Sequence, residues 1–535
     1  MDADGSDREQ GSRHHTDTWT VHGHHYALAS IDALRPNSRH EYRVRLDGQD
    51  VWPPAGSEFP PSVIRTPDPE APFRLAFGSC RRSAPFDHEH LEELGADALV
   101  ALAERMVKTP EEEWPELLLL LGDQVYADDP SDEIVARLRE AHSSNTQRDP
   151  DVRDEIQNFE EYTWLYHEAW TPHAVRWLLS TVPSGMLLDD HDLRDDWNTS
   201  LSWRRWATAQ AWWPERVKGA YASYWVYQHL GNLSPDELAA DDVYARVRAI
   251  TDDDERTRLL DQMAWDADAD AATIRWSFCR DLGVEGRRVR LVAIDGRCSR
   301  HLDPDDRRMV DALEWAWVRR QVLEPEQPYT HLVLASTLPI LLPPGIHHLE
   351  AWDEAISSGG AWGRPGKWFG EWLRQFLDLE HWASFGESFR ELVELFTDLV
   401  RSQSPPATVL LMSGDVHCSY TAEASLRGTS HPATAIHQLT MSPFRNNIQR
   451  AAKLANRLSR RRRPSAAVRR LAASAGVAEP DITWQLDEGP WFANGVMSIE
   501  FHESSARAII EHAHLRDGDR QELERTLELE LSPSG

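Results

Sequence analysis

The sequence has few of the residues that build disulfide-bonded or membrane-inserted proteins. Only four of its 535 residues are cysteines, and they are scattered without paired spacing. This argues against a disulfide framework and against a Cys-x-x-Cys zinc module. No apolar run approaches the roughly 20 residues of a membrane span, and the polar N-terminus shows no signal peptide. We therefore expect no membrane span, with a cytoplasmic location as the default.

Positive charge is also scarce. The chain has 57 lysines and arginines against 88 acidic residues, which gives a formal net charge of −31, and only four of the basic residues are lysines. Such a surface repels polyanions and disfavours binding to nucleic acid or to anionic membranes. Hydrophobic residues make up 41% of the chain and include 23 tryptophans, a composition that excludes global disorder.

The length predicts more than one structural unit, because single cores rarely exceed about 300 residues. We expect a disordered tail over 1–18 and a partial β-sandwich over 19–67, a stretch of short alternating strands similar to the later strands of fibronectin type III modules. A catalytic domain over 72–520 and an acidic C-terminal tail over 521–535 would follow. A basic cluster at 460–463 is interpreted as a solvated helix face.

Continuously apolar runs separated by helical stretches predict buried sheets in an α/β domain. These runs lie at 73–77, 117–121, 186–188, 289–294, 332–335, 409–412 and 496–501. Four of them end in polar side chains, and active sites of open α/β sheets form just beyond the carboxyl ends of strands. The candidate residues at these ends are Cys80, Asp123, Tyr126, Asp190, His191, Asp415 and His417.

The donor types of these residues indicate two different cations. Asp123, Tyr126 and His417 suit a high-valent iron, because phenolate stabilises Fe³⁺. Asp190 and Asp415 would hold a second, harder cation through carboxylate oxygens. Two adjacent metals are the usual device for clamping an in-line phosphoryl displacement.

The motifs at 78–80, 122–126, 189–191 and 413–417, in this order, resemble those of PhoD-type alkaline phosphatases. These enzymes are relatives of purple acid phosphatases in the calcineurin-like metallophosphoesterase superfamily. The resemblance extends over 19–494 and implies a four-layer α/β/β/α fold. It also implies hydrolysis of phosphate monoesters or diesters by a metal-bound hydroxide, with iron (Fe³⁺) and calcium as cofactors and a small-molecule phosphoester as substrate.

The same resemblance implies individual roles for the candidate residues. Asp123 would bridge the metals, Tyr126 would be the iron phenolate, and His191 would contact the phosphate rather than a metal. Cys80 stands where the wider superfamily has a metal-binding aspartate. The remaining assignments are metal ligands at Asp190, Asp415 and His417, outer calcium ligands at Asp195 and Asp196, and phosphate contacts at Arg81 and Arg194.

Several alternatives stay open at this point. The protein could be a phospholipase or a nucleotide phosphodiesterase on the same fold, or a non-catalytic, metal-stabilised binding protein. His191 favours an enzyme, because an inert scaffold need not retain a histidine that binds no metal. The Trp-rich stretch at 352–372 and the Glu380-His381-Trp382 sequence are interpreted either as a lid over the site or as aromatic packing under an insertion.

Overall fold

The computed structural model describes residues 12–143, 148–269, 273–284, 286–428, 434–446 and 462–533. Within these ranges the strands are β1 (Trp19–Val21), β2 (His24–Tyr26), β3 (Arg39–Glu41), β4 (Val44–Leu46), β5 (Gln49–Trp52), β6 (Val63–Arg65), β7 (Phe73–Gly78), β8 (Leu117–Leu121), β9 (Ser184–Leu187), β10 (Phe278–Leu282), β11 (Val289–Ile294), β12 (His331–Ser336), β13 (Thr408–Ser413), β14 (Ser419–Leu426), β15 (Ala435–Thr440), β16 (Ile482–Trp491), β17 (Gly495–Phe501), β18 (Ala506–Arg516) and β19 (Arg520–Glu530).

The α-helices of the same ranges are α1 (His88–Leu94), α2 (Ala98–Met106), α3 (Asp132–Ala141), α4 (Phe159–Trp170), α5 (His173–Thr181), α6 (Leu201–Thr208), α7 (Trp213–Tyr224), α8 (Leu230–Asn232), α9 (Pro235–Ala240), α10 (Asp242–Ala249), α11 (Asp253–Ala269), α12 (Ala312–Leu323), α13 (Pro344–Ser357), α14 (Gly363–Leu377), α15 (Gly386–Val400) and α16 (Arg462–Ser474). Side chains cap several of these helices; Asp97, for example, accepts hydrogen bonds from two backbone N–H groups in the first turn of α2.

Two mixed sheets form the centre of the protein. One has six strands in the order β19-β18-β17-β7-β8-β9, and the other has seven in the order β10-β11-β12-β13-β15-β14-β16. Strands β7, β8 and β9 run parallel to one another, as do β11, β12, β13 and β15. All seven apolar runs identified in the sequence are strands of these sheets, because their side chains are buried on both faces.

The hydrophobic clusters show how the layers stack. Phe77 and Leu119 of the six-stranded sheet share one cluster with Leu291 and Val333 of the seven-stranded sheet. The outer face of the seven-stranded sheet packs against α12 and α15. The outer face of the six-stranded sheet packs against α2 and α5. The two sheets therefore face each other between helices, and the predicted α/β class is confirmed.

The N-terminal segment is all-β, as expected, but within the described residues it does not form a sandwich. Its strands pair as three separate two-stranded ladders, β1-β2, β3-β6 and β4-β5. Strands of three or four residues are too short to build two facing sheets. Strand β1 instead lies on the helices of the catalytic domain, where the Trp19 ring meets the Trp225 ring at 5.9 Å.

The C-terminal segment corrects a second expectation. The predicted acidic tail over 521–535 is mostly strand β19, which pairs with β18 at the edge of the six-stranded sheet. Leu527 and Leu529 alternate with glutamates and pack against the core, so the strand hides its apolar face and exposes its charges. Of the predicted tail over 1–18, residues 1–11 lie outside the described residues, as do Arg460 and Arg461 of the basic cluster. No described helix is long and apolar enough to cross a membrane.

Candidate metal centre

The carboxyl ends of the parallel strands in both sheets meet at one edge of the protein. Cys80 follows β7, Asp123 follows β8, and Asp190 follows β9 in the six-stranded sheet. Asp415 and His417 follow β13 in the seven-stranded sheet. The structure thus brings together residues that are separated by more than 300 positions in the chain.

The turns at these strand ends have an unusual backbone. Cys80, Asp123, Asp415 and His417 all have positive φ angles, of 57°, 52°, 62° and 47°. Residues with side chains rarely adopt this region, which costs on the order of 1–3 kcal/mol each and recurs at functional sites. Four of the predicted metal ligands therefore occupy strained positions that aim their side chains at a common centre.

Four overlapping groups of donor atoms fill this centre. Within each group one atom from every residue lies within 4.8 Å of the others, and the groups are Cys80–Asp123–His417, Asp123–Asp189–Asp190, Asp190–Asp195–Asp378 and Asp190–Glu380–Asp415. Asp123 belongs to two groups and Asp190 to three. The donors thus form a continuous series, with room for more than one cation.

We distinguish two ends of this series. The mixed-donor corner comprises Cys80, Asp123, Tyr126 and His417. The carboxylate corner comprises Asp190, Asp378, Glu380 and Asp415, next to Asp195. Asp123 and Asp189 link the two corners.

Several carboxylate oxygens in the centre are buried without a hydrogen-bond partner. These atoms are Asp123 Oδ1, Asp189 Oδ2, Asp190 Oδ1 and Asp378 Oδ1. Burial raises the pKa of Asp123 well above its usual value, and the adjacent carboxylates raise it further. Burial also raises the pKa of Asp190 to about 6, against the attraction of Arg297. Buried, unpaired carboxylates are costly unless a cation neutralises them, so the donors present fit bound metal ions.

The mixed-donor corner shows the same need for a cation. Burial raises the pKa values of the Cys80 thiol and the Tyr126 phenol well above their usual range. Both groups would therefore ionise only beside a metal, which deprotonates its ligands. Burial lowers the pKa of His417 to about 4, which keeps its imidazole neutral and able to coordinate a metal.

An asparagine orders this corner. The Asn446 side-chain nitrogen lies 3.0 Å from the Tyr126 hydroxyl and 3.4 Å from His417 Nε2. The backbone N–H of Asn446 donates to the side chain of Asn494, which in turn donates to the carbonyls of Leu94 and Ala96. This chain of hydrogen bonds fixes two predicted ligands relative to the sheet.

His191 lies at the rim of the cluster rather than within a donor group. Its Nδ1 contacts both carboxylate oxygens of Asp128, at 2.9 and 3.1 Å, and its ring lies 4.5 Å from that of Tyr126. Burial lowers the pKa of His191, but the attraction of Asp128 and the neighbouring carboxylates outweighs it, so the pKa is raised well above the usual value. Because the Asp128 carboxylate accepts the Nδ1 proton, Nε2 is the nitrogen left for another partner.

Arg297 is a buried cation within the carboxylate corner, located two residues after Asp295 at the end of β11. Its guanidinium donates to both oxygens of Glu380, at 2.5 and 2.6 Å, and to Asp189. It also lies 3.3 Å from Asp190 and 3.5 Å from Asp415. These contacts favour ionised partners, and the pKa of Glu380 falls to about 2, because Arg297 and Arg300 outweigh the effect of burial.

A second basic group contacts Asp415 from the loop that follows α14. His381 Nε2 lies 3.5 Å from Asp415, and its Nδ1 lies 2.7 Å from Glu350. The 380–382 stretch was expected to form either a lid or aromatic packing under an insertion; the structure places Glu380 and His381 inside the cluster. The Asp378 backbone has a positive φ of 53°, like the turns at the strand ends.

Asp192 holds the two turns of the six-stranded sheet together. Its carboxylate accepts hydrogen bonds from the backbone N–H groups of Asp123, Gln124, Val125 and Asp189, at 3.0 to 3.1 Å. It fixes the backbone on which Asp123 and Asp190 are presented.

The cluster opens into a cleft of 420 Å³ that is lined by both polar and apolar side chains. We call its polar wall the set of ligand candidates Asp123, Asp190, Asp415 and His417, together with His191. We call its apolar wall the set Leu342, Pro343, Ile346, Leu377 and Leu379. The polar wall suits an anionic group, and the apolar wall suits an organic substituent.

The structure does not bring two predicted phosphate contacts into this cleft. Arg81 is buried behind it, where its guanidinium pairs with Asp97 at 2.8 Å. Arg194 pairs with Glu155 at 3.3 Å and stacks over the rings of Trp206 and Trp212. Neither guanidinium lines the cleft, so the phosphate role of Arg81 and Arg194 stays a prediction.

The predicted outer ligands behave differently from each other. Asp195 lies in the cleft and belongs to the Asp190–Asp195–Asp378 group. Asp196 belongs to none of the donor groups found among the described residues; it interacts with Asp378. Sequence reasoning missed Asp189, Arg297, Asp378 and Glu380 as members of the cluster. The signal for Asp189 was its place beside Asp190 at a strand end.

Comparisons with known proteins identify the family to which most of the chain belongs. Residues 101–463, more than half of the chain, match the family model described as PhoD-like phosphatase. Residues 7–64 match a domain of unknown function, DUF7800. No curated protein matches the sequence.

A solved structure titled "Structure of PhoD" is similar to this chain at 12% sequence identity, with a TM-score of 0.53 over 96% of this chain and 78% of that chain. This likeness supports the fold. The family match supports the hydrolysis of phosphoesters that the motifs predicted. The chain therefore belongs to the PhoD-like phosphatases and is a phosphoric ester hydrolase.

Proposed function

We propose that this protein hydrolyses small phosphate monoesters or diesters at a centre that holds two cations. Iron would occupy the mixed-donor corner, bound by Cys80, Asp123, Tyr126 and His417. A harder cation such as calcium would occupy the carboxylate corner, bound by Asp190 and Asp415. The observation that carries this proposal is the series of four overlapping donor groups, in which one carboxylate oxygen each of Asp123, Asp189, Asp190 and Asp378 is buried without a hydrogen-bond partner.

The donor chemistry supports a different cation in each corner. Thiolate, phenolate and imidazole favour a transition metal, whereas carboxylate oxygens alone favour calcium or magnesium. Bound cations would activate water and neutralise charge on the phosphoryl group. Asp195 and Asp378 lie beside Asp190 and would complete the oxygen shell of the harder cation.

The protein's own groups would position and protonate the substrate. Asp128 holds Nδ1 of His191, which directs Nε2 towards the cleft as a donor for a phosphate oxygen or for the leaving oxygen. The apolar wall formed by Leu342, Ile346 and Leu379 would accommodate the organic part of the ester and exclude water from it. Arg297 would keep Glu380 ionised and would orient both Asp189 and Glu380 through its hydrogen bonds.

The decisive experiment separates catalysis from metal binding. We expect His191→Ala to lower kcat by roughly 10²–10⁴ with metal content near that of the wild type. His417→Ala should lower iron occupancy and activity together. The measurement is kcat per bound iron, with iron quantified in the same samples.

His90→Ala is the matched control, because His90 also pairs with an aspartate at 2.9 Å but does not line the cleft. This variant should keep both activity and metal content. If His191→Ala retains the wild-type kcat per bound iron, His191 has a structural role only and the proposed role in catalysis is wrong.

A further inference from the structure

Helix α14 exposes an aromatic stripe to solvent. Trp368, Trp372 and Phe376 follow one another at intervals of four residues and are 73%, 48% and 67% exposed. The Trp372 and Phe376 rings stack on each other at 5.1 Å, and Phe369 meets Trp372 at 5.8 Å. Residues four apart lie on one face of a helix, so these rings form a continuous surface.

This stripe is part of a cluster of exposed apolar side chains rather than a single exposed residue. Thirteen large hydrophobic residues are exposed among the described residues, and six of them lie between Trp362 and Leu377. Trp206, on the neighbouring helix α6, is also 47% exposed. Clustered apolar surface of this kind marks an interaction site, whereas single exposed residues do not.

The opposite side of α14 is packed tightly against α13. A Cβ atom on Gly370 would lie 2.9 Å from Ile356 on α13, and still closer to the Ser357 hydroxyl. Arg374 is buried and lies 3.3 Å from Asp353. The helix is therefore held firmly by α13 while it presents its aromatic face outward.

We propose that α14 binds a lipid surface of zwitterionic headgroups, with its aromatic stripe inserted between the headgroups and the acyl chains. Tryptophan and phenylalanine on one face of a surface helix, with basic residues flanking them, are typical of interfacial helices. Arg364 and Lys367 are exposed on the first turns of α14, and Lys367 is one of only four lysines in the chain.

Charge decides the kind of surface. With a net charge of −31 the protein as a whole is repelled by anionic lipids. Repulsion between the headgroup phosphates and acidic groups of the protein more than about 8 Å away is screened by salt. The basic groups of α14 would contact the phosphates of zwitterionic headgroups directly, so their attraction would remain.

A second copy of the chain fits the stripe less well. A symmetric dimer would place the same patch against itself, so Arg364 and Lys367 would face their own copies. The cleft also favours a lipid surface. Leu377 is 46% exposed at the end of the helix and lines the apolar wall of the catalytic cleft. A lipid surface bound to α14 would therefore lie next to the cleft.

The test measures binding of the full-length protein to vesicles of phosphatidylcholine by co-sedimentation. The variant is Trp368→Gln/Trp372→Gln/Phe376→Gln, which removes the stripe and leaves the cleft unchanged. We expect the partition coefficient of this variant to fall by more than about tenfold, because interfacial binding scales with buried apolar area. Leu313→Gln is the control; Leu313 is 65% exposed on α12, and its variant should bind like the wild type.

Hydrolysis of a soluble chromogenic phosphodiester is measured on the same samples and should not change in the triple variant. If neither the wild type nor any variant hydrolyses this phosphodiester, that result would count against the proposed function. It would not affect the conclusion from vesicle binding. Trp368→Gln alone changes the most exposed position and should weaken vesicle binding by a smaller factor than the triple variant. This single variant tests the role of the stripe if the triple variant unfolds.

Three outcomes would overturn the proposal. The wild type could fail to bind the vesicles, or the stripe variants could bind as well as the wild type. In the third outcome the wild type does not bind vesicles but self-associates in sedimentation velocity, and the stripe variant is monomeric. That result would assign the stripe to a second copy of the chain.

Discussion

The mixed-donor corner and the carboxylate corner share one cleft but obtain their charge in different ways. In the mixed-donor corner Asp123 is the only carboxylate, and Cys80 and Tyr126 stay protonated unless a metal is present. In the carboxylate corner Arg297 and His381 already contact the acidic groups. The first corner thus depends on its metal for ionisation, whereas the second is partly neutralised by the protein itself.

The largest effect is expected from Asp123→Ala, which removes the carboxylate shared by the Cys80–Asp123–His417 and Asp123–Asp189–Asp190 groups. Both cations should be lost, and activity should fall by more than about 10³-fold, beyond the usual cost of losing one charge-stabilising donor. Metal analysis and kcat measure this directly. Asp129→Ala is the control, because Asp129 lies in the same turn but pairs with Arg82 at 2.9 Å; it should keep both cations. Loss of only one cation from Asp123→Ala would show that the corners do not share this residue.

Arg297→Met should separate the corners. Removing one partner of a buried ion pair costs about 3–5 kcal/mol, so the free energy of unfolding should fall by that amount in metal-free protein. Added Ca²⁺ should restore more stability to this variant than to the wild type, because the unpaired carboxylates attract it. Iron content should change little.

Arg148→Met provides the control for this measurement. Arg148 forms a buried ion pair with Glu161 at 2.7 Å, outside the cleft. Its loss should destabilise the protein without any rescue by Ca²⁺. If Ca²⁺ changes the thermal stability of the Arg297→Met and Arg148→Met variants equally, Arg297 is only a structural ion-pair partner.

The second cation should prefer oxygen ligands, because the donor groups that contain Asp190 and Asp415 among the described residues consist of carboxylates, with the His381 imidazole paired to Asp415 outside them. We expect chelation to abolish turnover and Ca²⁺ to restore it better than Zn²⁺ at matched iron content. Full recovery with Zn²⁺ alone would contradict the difference between the corners.

The smallest effect on activity is expected from Tyr126→Phe. An iron phenolate should give the protein a visible absorption band, which this variant should lose. Activity should fall by about tenfold, because the other ligands remain. Tyr162→Phe is the control; its buried hydroxyl donates to the Asp192 carbonyl and should not affect the colour. An uncoloured wild-type protein with bound iron would remove Tyr126 from the ligand set.

The same two corners show how far the sequence alone can be interpreted. The mixed-donor residues follow apolar strands by at most five positions, and strand ends meet at one sheet edge, so local patterns were sufficient to group them. Asp378 and Glu380 come from a loop after α14, and their position depends on how α13 and α14 pack. No local pattern encodes that packing.

Similar limits apply to the rest of the fold. The seven apolar strands were predicted because each is buried on both faces. Strand β19 was missed because its glutamates dominate the composition and obscure the alternating leucines. Sequence also shows charge but not the partner, so the ion pairs of Arg81 with Asp97 and of Arg194 with Glu155 were not predicted.

The four hydrogen bonds accepted by Asp192 have a consequence for local motion. They join the turn after β8 to the turn after β9, so neither turn can open without breaking contacts of the other. The amide protons of Asp123, Gln124, Val125 and Asp189 should therefore exchange with solvent as one cooperative unit, at a single slow rate. Two ligand-bearing loops that are remote in sequence would then open and close together.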